Sequence, residues 1–163
     1  MTFKMEDREL YNTFILAEKE LFNSPRIKFE RNILWRKKHL THSPGIYALF
    51  ENESLIYVGE TGDLLKRMCD ITRTVNHSFR KQLGFKKFNG IKSSKKFIPE
   101  IESSLDKYFD DELYISFLEV NFGRLEIETY LVDKYQTQII NSEKKRKLSI
   151  NYELLKELEN ACT

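Results

Sequence analysis

The sequence predicts an α/β (α+β) fold: a small three-stranded antiparallel sheet flanked by helices, with an N-terminal helical extension and a basic insertion. Two short apolar runs, GIYALF and LIYVG, flank Glu51-Asn52-Glu53-Ser54, the pattern of a β-hairpin. ELYISFLEV, residues 112–120, alternates as a third strand. Helical spacing recurs on both sides of these strands.

Residues 5–22 place Leu10, Phe14 and Leu21 on one side of a helix that Ser24-Pro25 ends. Residues 26–42 are basic and irregular, with a strand expected around Ile27–Phe29 or Ile33–Trp35. In the hairpin, a three-residue turn centred on Asn52, a residue type that tolerates φ > 0, sets Tyr47 directly opposite Tyr57. A one-residue slip would send the two hydroxyls to opposite faces. A short helix over residues 62–72 buries Leu64, Leu65 and Met68 and projects Lys66 and Arg67. Residues 73–99 form a polar, basic and aromatic insertion, broken at Gly84 and Gly90, with one short helix near residues 77–83. A helix follows over residues 124–137, and another over residues 152–160.

At 163 residues the chain reads as one domain: an extension (1–42), a core (43–141) carrying the insertion, and a basic segment with a C-terminal helix (142–163). A charged fraction of 32% beside 40% hydrophobic residues fits a globular class. No apolar run approaches the roughly 18 residues a membrane span requires. The first ten residues lack an apolar h-region, so export is not expected. Cys69 and Cys162 form no CxxC pair and no zinc spacing, which fits a reduced, cytoplasmic protein.

The net charge of +2 is unevenly spread. Ten Lys or Arg residues and one acid, Asp70, lie between Lys66 and Lys96, and Glu100 to Glu112 reverse the sign. Segregated charge of this kind presents a basic face to a polyanion or forms a solvated surface. The nucleic-acid reading assigns phosphate contacts to Lys66, Arg73, Arg80, Lys81, Lys86, Lys87, Lys95 and Lys96, with Trp35, Phe79, Phe85 and Phe88 interleaved in the basic stretches. Smaller clusters sit at Arg36-Lys37-Lys38 and Lys144-Lys145-Arg146-Lys147.

On the 124–137 helix, Leu125, Leu131, Val132, Tyr135 and Ile139 form one stripe at 100° per residue with Glu128 at its centre. Glu126 falls with Thr129 and Asp133 on the opposite, wet face. A carboxylate in a core-facing stripe is costly unless paired or metal-bound. Glu128 is therefore the functional acid, or a buried Glu neutralised by an arginine. A single carboxylate suffices to anchor Mg²⁺, which keeps waters and takes other ligands from a substrate phosphate. Arg67 either forks onto phosphate oxygens or decorates the helix surface.

Gly45-Ile46-Tyr47, Tyr57-Val58-Gly59, Arg67 in GETGDLLKR, Glu128 in RLEIETYLVDKYQ and Asn141 in QIINS occur in an order that resembles the GIY-YIG nuclease family over residues 45–141. The resemblance implies a divalent-metal-dependent endonuclease acting on double-stranded DNA, with Mg²⁺ or Mn²⁺ on Glu128. A compact, embellished chain of this sort looks like a stand-alone, restriction-type enzyme whose own extensions bind substrate, working as a homodimer or by sequential nicking. Structure-specific repair or mobile-element nucleases, an inactive binding module and an RNase are the alternatives.

The resemblance further implies that Tyr47 acts as general base or orients the attacking water, with Tyr57 beside it. A phenol with pKa near 10 is ionised to only about one part in a thousand at pH 7, so a base would need nearby cations. Both tyrosines also read as ordinary strand aromatics. Family members place a histidine one turn after the arginine, where this chain has Ile71. His77, ten residues on, is a base, a phosphate ligand, a DNA contact or none of these. Asn141 braces the Glu128 helix or ends it. Gly59 admits phosphate or lets the strand turn, and Thr61 is a helix N-cap. His39 and His42 are surface residues.

Overall fold

The computed structural model describes residues 5–93, 95–144 and 146–162. The order is α1 (Asp7–Asn23), β1 (Ile27–Lys28), α2 (Ile33–His39), β2 (Gly45–Glu51), β3 (Ser54–Thr61), α3 (Leu64–Asp70), α4 (Ser78–Phe88), β4 (Lys92–Ser93), β5 (Lys96–Phe97), α5 (Pro99–Asp111), β6 (Leu113–Glu119), α6 (Arg124–Lys134) and α7 (Tyr152–Ala161). Lys145, in the last basic cluster, lies outside the described residues. No helix among the described residues is long and apolar enough to cross a membrane.

The main sheet is antiparallel and has four strands, not three, in the order β1-β6-β2-β3. The added strand is the two-residue β1, pairing Ile27 with Ile115. Helices cover both faces. Tyr47, Leu49, Tyr57 and Ile115 pack with Trp35, Met68, Phe79 and Phe109 on one side. Ile46, Ala48, Phe50 and Val58 pack with Phe14, Leu21, Leu131 and Leu158 on the other. Two apolar layers leave β2 with no wet face, so six consecutive residues from Gly45 to Phe50 are buried.

Two helices escaped the sequence reading. Residues 33–39 were expected as a strand or irregular; Asn32 instead caps a helix by accepting from the Trp35 N–H at 2.8 Å. The acidic run 100–112 shows only its charge in the sequence. It is α5, started by Pro99 and turned inward by Leu105, Tyr108 and Phe109. The small β4–β5 hairpin was also unforeseen.

The hairpin register differs from expectation. Asn52 does adopt a positive φ of 53°, but the turn has two residues, with Glu51 opposite Ser54. That turn alone would place Tyr57 on the opposite face from Tyr47. A bulge at Ile56 shifts the register once more, so Tyr47 opposes Gly59 and Tyr57 opposes Leu49. Two single shifts restore the parity, and the tyrosines meet diagonally with ring centroids 6.3 Å apart.

β3 is an edge strand, and residues 140–141 cover its edge. Ile140 N–H donates to the Ile56 carbonyl at 2.8 Å. The Asn141 amide donates to the Val58 carbonyl at 2.7 Å and accepts from the Val58 N–H at 3.1 Å. Asn141 thus braces β3 between the tyrosine and the glycine, whereas α6 already ends at Lys134. Each such bond contributes about 1 kcal/mol.

Candidate active site

Gly59 lies under Tyr47. A Cβ there would stand 2.4 Å from both the Cζ and the hydroxyl oxygen of Tyr47. The glycine therefore seats the Tyr47 ring, and β3 runs straight through it to Thr61. Gly45 serves a similar purpose one layer on, where a Cβ would meet the Leu118 carbonyl at 2.5 Å.

His77 reaches the same spot from the insertion. It is 5% exposed, caps α4, and its Nε2 stands 2.8 Å from the Tyr47 hydroxyl. The direction of this bond follows from the cap. The Phe79 N–H donates to His77 Nδ1 at 3.0 Å, so the proton of the neutral ring sits on Nε2. Nε2–H donates to Tyr47, which leaves the Tyr47 proton free to point elsewhere. Burial, then the charges of Arg67 and Lys81, lower the His77 pKa from 6.5 to about 3. His77 is neutral at physiological pH and cannot take a proton from Tyr47.

The tyrosines stay protonated as well. Burial pushes Tyr47 well above the usual phenol range, with the neighbouring Tyr57 adding to it. Burial also raises Tyr57, against a hydrogen bond to Ser78 at 2.9 Å that lowers it. The lowered tyrosine pKa that a base would need is absent from this arrangement. The Tyr47 hydroxyl keeps its proton and is left as a hydrogen-bond donor.

Arg67, half-buried on α3, is the shared neighbour of the whole cluster. Its charge lowers the pKa of Tyr47, Tyr57, His77 and Glu128 alike. Among the described residues it has no ion-pair partner. Asp63, rather than Thr61, caps its helix by accepting from the Lys66 N–H at 2.8 Å, and His42 pairs with that same Asp63. A planar guanidinium with no ion-pair partner of its own has its fork of donors available to an anion.

Glu128 is 5% exposed, as its position on α6 predicts, but not because of a single apolar stripe. Residues 127–132 are all buried because α6 is packed between the sheet and α1. Thr129 is therefore inside and Leu125 outside, the reverse of the single-stripe reading. Burial raises the Glu128 pKa, opposed by a 2.7 Å ion pair with Lys144. The neutralising cation is a lysine from the C-terminal segment, where an arginine was expected. Glu126 is the more exposed acid and pairs with Arg146.

Three participants were missed. Ser78 holds the Tyr57 hydroxyl, Lys144 holds Glu128, and Glu60 adds negative charge near Tyr47 and Glu128 while pairing with Arg124 at 2.7 Å. Ser78 was discoverable by adjacency to His77, and Glu60 by following Gly59. Nothing local marks Lys144 within its basic run.

The basic stretch divides. Lys66, Arg73, Lys95 and Lys96 are exposed and Lys81 is half-buried beside His77. Arg80 is 3% exposed, clamped by Glu102 and Asp106 at 2.7 and 2.8 Å, which removes it from the solvent face assigned to it. Lys86 donates to the Ile140 carbonyl at 3.0 Å and Lys87 pairs with Glu51 at the hairpin turn. Trp35 and Phe79 belong to the core, so neither is free to stack on a base.

The donor set fits a hard divalent cation. Glu128 offers a carboxylate in a buried position that already holds a cation, the Lys144 ammonium. Among the described residues no cluster of three or more His, Cys, Asp or Glu side chains makes a complete cage. A single-carboxylate site leaves the remaining positions to water and substrate oxygen.

No protein-family model matches the chain, and no curated protein does. Among solved structures, the fold is similar to the crystal structure of the GIY-YIG N-terminal endonuclease domain of UvrC from Thermotoga maritima, bound to its catalytic divalent cation. The likeness covers 69% of this chain and 98% of that one, at 15% identity and a TM-score of 0.36. At that level the likeness assigns nothing, and the chemistry is read from the site itself.

Proposed function

We propose that this chain is a divalent-metal-dependent DNA endonuclease that hydrolyses phosphodiester bonds by in-line attack of water. The observation that carries the reading is Arg67, a guanidinium with no ion-pair partner among the described residues, whose charge acts on buried Tyr47, Tyr57, His77 and Glu128 at once. Arg67 binds the scissile phosphate through its non-bridging oxygens and offsets charge that grows in the transition state. Tyr47, held by His77, directs its hydroxyl proton at a phosphate oxygen, and Tyr57, held by Ser78, flanks it. Glu128 would hold the cation, Mg²⁺ or Mn²⁺, which when bound would supply Lewis-acid stabilisation of the leaving oxygen. The extensions of residues 26–42 and 73–96 supply substrate contacts, and restriction-type site specificity is the finer form of this reading.

The test is incubation of the purified chain with supercoiled plasmid and phage DNA, with Mg²⁺, with Mn²⁺ and with chelator. Discrete products that chelator abolishes are expected. DNA binding without cleavage under any condition would favour a binding module, the reading to which the Lys144–Glu128 pair lends weight.

His77 has two separable duties. His77→Asn keeps an acceptor for the Phe79 N–H but loses the donor to Tyr47, so cleavage should fall about three- to tenfold with the fold retained. His77→Gln keeps an amide donor at the ε position and loses the cap, so activity should survive better while stability drops by about 1 kcal/mol. Between pH 6.5 and about 3 the unfolded chain takes a proton on His77 that the folded chain refuses. Stability therefore falls as pH falls across that window, and less steeply in His77→Asn. Equal pH slopes in denaturant titrations would show that His77 is not held neutral.

A further inference from the structure

Lys144 sits on the carboxylate that the proposed function needs for its cation. Its ammonium is 2.7 Å from Glu128 Oε2, and two like charges cannot share one carboxylate at such range without strong repulsion. Described residues C-terminal to Lys144 are held against α6 by contacts of their own. Arg146 pairs with Glu126 at 2.6 Å, Lys147 lies 3.7 Å from Asp133, and the Tyr152 hydroxyl donates to Asp133 at 3.0 Å. A cavity of about 110 Å³ between this segment and α6 is lined by Lys144, Thr129, Val132 and Leu148. The lysine side chain therefore has room to leave Glu128 while the segment stays in place.

We propose that Lys144 is a built-in competitor of the divalent cation, occupying Glu128 until the ion displaces its ammonium into the adjoining space. This inference rests on the metal-dependent reading of Glu128. Lys144 is a positioning residue in this sense: it keeps the buried carboxylate paired and sets the concentration at which a divalent ion loads. A chain so arranged binds its ion more weakly than the same site freed of the lysine.

The experiment is Mn²⁺ binding to the full chain, followed by the electron paramagnetic resonance signal of free Mn²⁺. Lys144→Met should bind Mn²⁺ at least about tenfold more tightly than wild type, and Glu128→Gln in that background should abolish the gain. Unchanged or weaker binding in Lys144→Met overturns the proposal while leaving a metal-dependent nuclease intact. Absence of Mn²⁺ binding in both proteins overturns the metal reading together with it. A second measurement needs no variant. Acylation of Lys144 in the wild-type chain, read by mass spectrometry, should accelerate when Mn²⁺ is added; an unchanged rate overturns the proposal.

Discussion

Glu128→Ala is expected to abolish metal-dependent cleavage, by about 10³-fold or more, while DNA binding stays within about threefold of wild type. The substitution removes the buried carboxylate of the site and leaves the exposed cations Lys66, Arg73, Lys95 and Lys96 untouched. The fold should tolerate it. Burial raises the Glu128 pKa, so the folded chain carries this ionised group at a cost, and Lys144 is exposed enough to find water once its partner is gone. Glu128→Gln should accordingly match or exceed wild-type thermal stability while being equally inactive. Parallel loss of binding and cleavage, or a large drop in melting temperature, would mean that Glu128 is a structural ion-pair partner only.

Arg67→Ala is expected to lower kcat by about 10²–10³, the 2.7–4 kcal/mol range typical of a single lost transition-state donor. Lys66→Ala, one residue earlier on the solvent side of α3, should change kcat less than about threefold. Arg67→Lys should not recover the loss, because a point charge replaces a planar fork. Arg67 lowers the pKa of both buried tyrosines, so its removal should move their ultraviolet titration still higher. Equally mild kinetic effects at positions 66 and 67 would show that the guanidinium is not the phosphate receptor.

What could be read from the sequence alone came from local rules. Two apolar runs around a turn marked both hairpin strands, alternation marked the third sheet strand and helical periodicity the Glu128 helix, because side-chain direction repeats every 2.0 or 3.6 residues whatever the rest of the chain does. An acid in an apolar stretch singled out Glu128 over Glu126 on the same grounds. The helix from Pro99 to Asp111 was hidden because its charged surface was read without its inward Leu105, Tyr108 and Phe109.

The site itself was decided by contacts between residues distant in sequence. The facing of Tyr47 and Tyr57 depended on a bulge at Ile56 that no local pattern announces. His77 became a partner of Tyr47 across 30 residues, Asn141 an edge brace of β3 across 83, and Lys144 the counter-ion of Glu128. Arg80 changed from surface charge to buried clamp for the same reason. A charged or hydrogen-bonding side chain has no periodic signature of its partner. Burial forces it to find one, and only the packed tertiary structure determines which groups are within reach.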